Sequence, residues 1–540
     1  LKGGFDKEYP DHLPVNAGFG SEVEFETFLT SARAAGLLTM PYTNPTFWGV
    51  DPKGPTWTGI GNDDPLLRNL DGTIHFEEYF GEGGFTATPW HPAVRAANEK
   101  TVDLFTGDPG NQHPETAYQV DFFFQDQVGA RSWQYDNNTQ SPRPEAYVHG
   151  LIALNAEDSG KLPVSTENGF DRLINFESQF CGLAWGLAPT PGAPFWRRFL
   201  SDRYDPATWE IFPLAQYLAH DKVAFAFNNL GASTANDETV AWALGLGYGM
   251  TNFFDQADLD DSSFREWLAW IARVQKSVAG RYIGGGVSAF DHQWGANPTT
   301  AGNGSIAATY GPVAVLANLD DQTLVAGGRT LAPHGFVAMA PGMIAARVIE
   351  PGGTTAVRFV AEADGAGNAE FWIHAVGGQE VTIELPPGMD GACMVALDGS
   401  TATRETISSN HLSVALPAGV EPATAYLWHG TVSHFTHVVN PAGNVTITGY
   451  AGPDAVVIPA TIGGLPVVEV GVNAFRNLTT LTSVSIPASV TTLADYSFAG
   501  CTGLASLVLP DSVTIIGSHA FDACTGLEAI AVGNGVASIG

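Results

Sequence analysis

Three patterns of apolar and polar positions follow one another along the chain. Over 1–285, apolar runs at 37–42, 119–125, 162–166, 223–227 and 250–254 each end in polar residues, and amphipathic stretches at 22–35, 91–105, 144–159 and 262–279 lie between them. Strand-length runs alternating with helical periodicity predict an α/β unit. Serines opening the first and last amphipathic stretches predict N-caps there. Over 286–430 the pattern changes to short alternating segments such as 313–319, 357–363, 369–375 and 380–385, divided by Gly, Pro and Asp turns, which predicts an all-β sandwich. A linker or bridging strand at 431–449 leads into a third region, 450–540. There Phe475, Phe498 and Phe521 recur every 23 residues, in phase with Leu481, Leu504 and Leu527 and with Val490, Val513 and Val536. One such unit cannot bury its apolar face alone, so the copies are expected to stack into a solenoid with Phe and Leu inside.

The repeat reads "AF…C/L-T-x-L-x-x-(I/V/L)-x-(I/L)-P-x-S-V-T-x-(I/L)" and resembles the BspA-type leucine-rich repeats of bacterial surface proteins over roughly 456–540. That resemblance implies an extracellular or cell-surface location and contact with a cell surface or host protein. Cys501 and Cys524 occupy equivalent repeat positions, which predicts a buried ladder in place of a disulfide or metal site.

In the α/β region, functional-looking residues bunch just after the strands, where either a (β/α)8 barrel or a doubly wound sheet puts its site. No Gly-rich phosphate turn follows any strand, and the loops carry Trp, Asn and carboxylates instead, so the barrel is preferred. About six strands can be counted, and the opening GGFDKEYPDHLP reads as a loop after a missing strand, so the TIM-type barrel is expected to be N-terminally truncated.

Composition narrows the partners. The formal net charge of −32 repels phosphate backbones and anionic lipid, which argues against nucleic acid. No apolar stretch of about twenty residues occurs, so no membrane span is expected.

Two constellations carry candidate chemistry. In QVDFFFQDQVGARSWQYDNN, Asp126 follows an aromatic strand, and Gly129 opens a loop bearing Arg131, Trp133 and Tyr135. In LPVSTENGFDRL, Glu167 ends the next short strand, with Asp171 a rival for its role. Two carboxylates on successive strand ends suit glycoside hydrolysis, one attacking the anomeric carbon and the other donating a proton. Asp126 is then expected ionised and Glu167 protonated. Tyr42, Asn44 and Trp48 follow another strand and Asp255 a late one; with Arg131, Trp133, Tyr135 and Asp171 they are the expected substrate contacts. The histidines lack HExxH spacing and no G-x-S-x-G elbow occurs, so neither a metal nor any other cofactor is expected.

The segments YTNPTFW, FFFQDQVG and STENGFD resemble a bacterial glycoside-hydrolase-like (β/α)8 barrel family of unknown function over about 5–255. The order of Asp after one strand and Glu after the next also resembles retaining glycosidases of the endo-α-N-acetylgalactosaminidase kind. It implies Asp126 as nucleophile and Glu167 as acid/base, acting on a polysaccharide or glycoprotein glycan. The competing expectation is a non-catalytic glycan-binding adhesin, and a purely structural scaffold is the third.

Overall fold

The computed structural model describes residues 9–11, 17–18, 20–50, 54–79, 82–106, 118–131, 134–167, 169, 171–181, 213–227, 234–252, 254–293, 304–351, 353–364, 368–387, 389, 391–397, 403–421, 423–462 and 465–540. The chain forms two compact units, the first built mainly from 1–253 and the second from 254–281 and 312–540.

In the first unit the elements run α1 (Glu22–Ala34), β1 (Tyr42–Thr43), β2 (Phe47–Gly49), α2 (Pro55–Ile60), β3 (Phe76–Tyr79), β4 (Glu82–Thr86), α3 (Pro92–Thr106), β5 (Phe123–Gln125), α4 (Ala146–Ser159), β6 (Val164–Glu167), β7 (Glu177–Cys181), α5 (Leu214–Ala219), β8 (Ala224–Phe227), α6 (Asp237–Gly245) and β9 (Gly249–Met250). Helix α1 starts where Ser21 and Glu24 cap one another's backbone, the reciprocal pairing that satisfies two otherwise orphaned N–H groups. Strands β1, β5, β6, β7, β8 and β9 make one parallel sheet in that order. Order along the sheet follows order along the chain, with no reversal. Among the described strands there is no such reversal as a doubly wound sheet needs.

Two features were not foreseen from sequence. Strand β7 has the polar sequence ESQFC, which masks its place in the sheet. An antiparallel sheet, β2-β4-β3, is inserted between β1 and β5. Its central strand carries Gly83 and Gly84 because aromatic rings cover them: an added Cβ would lie 2.7 Å from Phe76 and 2.3 Å from Phe47. Glycine is a poor strand former, so the segment reads as a loop.

Beneath the sheet runs a buried polar network. Asp158 accepts from Asn98 Nδ2 at 2.7 and 2.9 Å and from Gln125 Nε2 at 2.5 Å, while Asn155 Nδ2 donates to Gln125 Oε1 and Glu177 Oε1. Burial pushes the Asp158 carboxyl up to about 6 and that of Glu177 to about 8.

The second unit opens with two helices, α7 (Gln256–Asp260) and α8 (Ser262–Val274). The caps are Asp255 and Asp261; the expected serine cap of the last helix is its first helical residue instead, because the Asp261 carboxylate reaches the Ser263 and Phe264 N–H groups. An antiparallel sheet follows through Val313–Asn318, Phe336–Ala340, Met343–Ile349, Ala356–Ala363, Ala369–Val376, Ala425–Ser433, Gly391–Leu397 and Thr403–Ile407. A two-stranded sheet, Glu380–Glu384 with His411–Ala415, shares its core, where Val381, Ile383, Leu412 and Val414 pack with Phe359, Phe371, Ile373 and Val432.

In the repeats, Ser483–Ser485 pairs in parallel with Ala455–Val457, and Ser506–Val508 with Ala529–Ala531. On a second sheet Thr492 lies opposite Ile515 and Ile515 opposite Ser538, each a step of 23 residues. Phe475, Phe498 and Phe521 stack at 4.8 and 5.7 Å. The thiols of Cys501 and Cys524 each donate to a carbonyl in the preceding copy, Phe475 O and Phe498 O, both at 3.1 Å. All four cysteines are free.

Candidate active site

The register of the parallel sheet brings the two carboxylates together. Gln125 lies opposite Thr166 on β5 and β6, so the next residue on each chain, Asp126 and Glu167, stands side by side at the same end of neighbouring strands. Strands lie about 4.8 Å apart, and the two side chains leave the sheet on the same face. Each residue is 8% exposed. Their carboxyl groups are in direct hydrogen-bond contact.

The end of β5 is closely held. The Asp126 N–H donates to Thr43 O at 2.8 Å, and its Oδ2 accepts from the Tyr42 hydroxyl at 2.6 Å and from Asn44 Nδ2 at 3.3 Å. The Gln127 N–H also donates to the Asp126 carboxylate. Gln127 itself sits in the left-handed region at φ 61°, a strained backbone for a non-glycine residue of the kind that clusters at functional sites. Gly129 lets the two strand-end loops meet: its N–H donates to Thr166 Oγ1 at 2.8 Å, and a Cβ there would lie 2.6 Å from Glu167 O.

Burial pushes the Asp126 carboxyl above its ordinary range, opposed by hydrogen bonds from Tyr42, Glu167 and the Gln127 backbone and by the positive charge of Arg131. Cys181 ends β7 opposite Glu167; burial, then the charges of Glu167 and Asp126, hold it as a neutral thiol, unsuited to nucleophilic attack.

The expected substrate contacts divide. Tyr42 and Asn44 converge on Asp126, but Asn44 is buried and committed: Nδ2 serves Asp126 and Gln127, and Oδ1 accepts from the Thr46 N–H and hydroxyl. Arg131 is also buried, and it donates to Thr46, Glu77, Thr86 and Gln127, which braces the site. Trp48 is fully buried in a cluster with Trp57, Leu66, Ala87 and Val94 and is a core residue, not a platform for a sugar ring. Asp171 is exposed at the start of a 3-10 turn, where it accepts from the Arg172 N–H. Asp255 is exposed and caps α7 in the second unit. Tyr135 is 66% exposed, a free aromatic face just beyond Arg131. Trp133 lies outside the described residues. Glu77, Gln127 and Thr46 were missed, because no local pattern links the inserted sheet to the loop after β5.

Among the described residues no group of three or more His, Cys, Asp or Glu side chains could hold a metal ion. No helix among them is long and apolar enough to cross a membrane.

Residues 465–540 match the family described as the BspA type leucine rich repeat region, in six copies. No curated protein matches the chain. Among solved structures, the alpha-N-acetylgalactosaminidase NagBb of Bifidobacterium bifidum in its GalNAc complex is 14% identical, with a TM-score of 0.44 over 60% of this chain and 48% of that one. A GH31 family sulfoquinovosidase from E. rectale is 11% identical, with a TM-score of 0.35 over 75% of this chain and 52% of that one. The leucine rich repeat protein of T. pallidum is 26% identical, with a TM-score of 0.15 over 18% of this chain and 68% of that one. The chain spans about half the length of the glycoside hydrolases it resembles.

Proposed function

We propose that this chain is a retaining glycoside hydrolase that cleaves a complex glycan through Asp126 and Glu167, outside the cell, with its repeats as a contact module for a surface or host protein. The observation that carries the reading is the side-by-side placement of two buried carboxyls at neighbouring parallel strand ends. An inverting pair needs room for a water, with carboxyls about 6.5–9.5 Å apart; a retaining pair stands about 5–5.5 Å apart. Two carboxyls in contact are closer to the second arrangement, and a sugar entering between them parts the pair. In that contact the pair holds one proton. Separation by the sugar leaves the proton on Glu167, ready for the leaving oxygen, and leaves Asp126 as the anion that attacks. Tyr42, the Gln127 N–H and the charge of Arg131 stabilise that anion. The six parallel strands belong, on this reading, to a (β/α)8 barrel, with Tyr135 a platform for a sugar ring.

The test is sugar release from a panel of mucin-type and plant glycans by the full chain beside Asp126→Asn and Glu167→Gln. Release by the parent and its loss in both variants supports the mechanism. Binding without release by all three proteins refutes it in favour of an adhesin.

A further inference from the structure

The inserted sheet β2-β4-β3 could be a decoration on the fold, but one of its side chains reaches the site. Along β3, Phe76 and Glu78 face outward, while Glu77 turns inward and forms a two-pronged ion pair with Arg131: Nη2 donates to Oε2 at 2.8 Å, and Nη1 donates to Oε1. The fork has further fixed neighbours, since Nε donates to Thr46 Oγ1 at 2.9 Å and Nη1 to Thr86 Oγ1 at 3.3 Å. A planar guanidinium held this way has one orientation. From it, Nη2 donates to Gln127 Oε1 at 2.7 Å, and the same oxygen accepts from Asn44 Nδ2 at 3.2 Å. Asn44 Nδ2 in turn donates to Asp126 Oδ2. A continuous chain of hydrogen bonds therefore runs from Glu77 to the Asp126 carboxylate, through Gln127 with its left-handed backbone.

We propose that Glu77 and Arg131 are a positioning pair: anchored on the inserted sheet, they fix the Asp126 carboxylate through Gln127 and Asn44. The proposal rests on the glycosidase reading only for its consequence in turnover; the placement of Asp126 is a property of the resting protein. Neither residue reaches a reacting atom. Their effect is geometric, through Gln127, and electrostatic, through a positive charge whose strength Glu77 moderates.

Among the described residues, the charged and titratable groups around Asp126 are Tyr42 from β1, Glu167 from β6, Cys181 from β7, and Arg131 with its partner Glu77; His75 lies 3.7 Å from Glu77, and the buried phenol of Tyr147 is near both members of the pair. Of these, Arg131 is the cation that favours ionised Asp126. Removing it must raise the titration point of Asp126, whereas removing the negative charge of Glu77 leaves Arg131 less compensated and must lower it. Local damage to packing would move both in one direction.

The experiment is carboxyl carbon NMR of the full chain labelled at aspartate, with the Asp126 signal identified by its loss in Asp126→Asn. Arg131→Gln is expected to shift the Asp126 titration up by on the order of one pH unit, Glu77→Gln to shift it down by less, and Arg131→Lys to leave it near the parent value. Shifts of the same sign in Arg131→Gln and Glu77→Gln, or no shift in either, overturn the proposal. Should Arg131→Gln fail to fold, a downward shift in Glu77→Gln beside an unmoved Arg131→Lys still supports it, and any other outcome for that couple overturns it. The pH profile of kcat/KM on para-nitrophenyl glycosides separates this inference from the activity. Opposite NMR shifts without hydrolysis by any protein keep the positioning pair and sink the glycosidase; hydrolysis with shifts of one sign does the reverse.

Discussion

Adding one methyl group at residue 129 tests how closely the two strand ends must meet. In Gly129→Ala the new Cβ would lie 2.6 Å from Glu167 O, 2.7 Å from Thr166 Cγ2 and 2.9 Å from Gly169 Cα. All three are closer than a carbon tolerates, and two of the three belong to backbone, which cannot rotate out of the way. Relief requires the loop after β5 to move away from the end of β6, stretching the Gly129 N–H bond to Thr166. Forcing a methylene-sized group into a packed site costs about 1–3 kcal/mol, and in a unit of this size each kcal/mol lowers the melting temperature by about 2–4 °C. A fall of several degrees is therefore expected for the α/β unit by calorimetry, with faster hydrogen exchange confined to the peptides spanning β5 and β6. Turnover should fall more steeply, since a displacement near 1 Å of a reacting group can cost on the order of a hundredfold. Gly59→Ala is the control: an exposed helical glycine with nothing within 4 Å of the added carbon should gain about 0.5–1 kcal/mol. If Gly129→Ala melts and exchanges like the parent, the two strand ends are not in the contact described, and the argument for a paired site loses its footing.

Three further outcomes are expected. Glu177 has a folded pKa of about 8 against an ordinary 4.5, so its neutral form is favoured in the fold; the stability this gives is full below about pH 4.5 and is lost as pH rises through 8, a change of a few kcal/mol. Glu177→Gln should flatten that slope in urea unfolding series, and an unchanged slope would count against the buried carboxyl. Trp48→Ala should cost about 3–5 kcal/mol by denaturant unfolding, while Tyr135→Ala should leave stability within about 0.5 kcal/mol and weaken glycan affinity; the reverse ranking would exchange their roles. Phe498→Ala, which removes a buried ring from between two others, should cost about 3–5 kcal/mol in the repeats, and a loss below about 1 kcal/mol would contradict the stacked core.

The helices and repeats were legible because their signals are local: a reciprocal cap at Ser21 and Glu24, and Phe, Leu and Val returning in phase. Asp126 and Glu167 were legible as strand ends, but their contact is a matter of register, which no single strand encodes. Asn44, Arg131 and Trp48, expected as ligand contacts, are buried and engaged with neighbouring residues. Polar or aromatic residues beside a catalytic strand look alike in sequence whether they face a cleft or hold its wall, and only the count of donors already used separates the two. Strand β7 was missed because Glu177 and Gln179 break its apolar run, and Glu177 is tolerated there by Asn155.

The thiols of Cys501 and Cys524 and the rings of Phe475, Phe498 and Phe521 reach back to the copy before them. Each rung therefore has a place only in relation to its predecessor, and none in relation to the whole. Such an array can change length by whole rungs: excising 23 residues from its middle would hand every remaining thiol and ring the same kind of neighbour it had before, whereas excising 20 would misalign the two rungs that meet at the cut. The number of rungs is in that sense a quantity evolution can adjust in discrete steps, without redesigning the contacts between them.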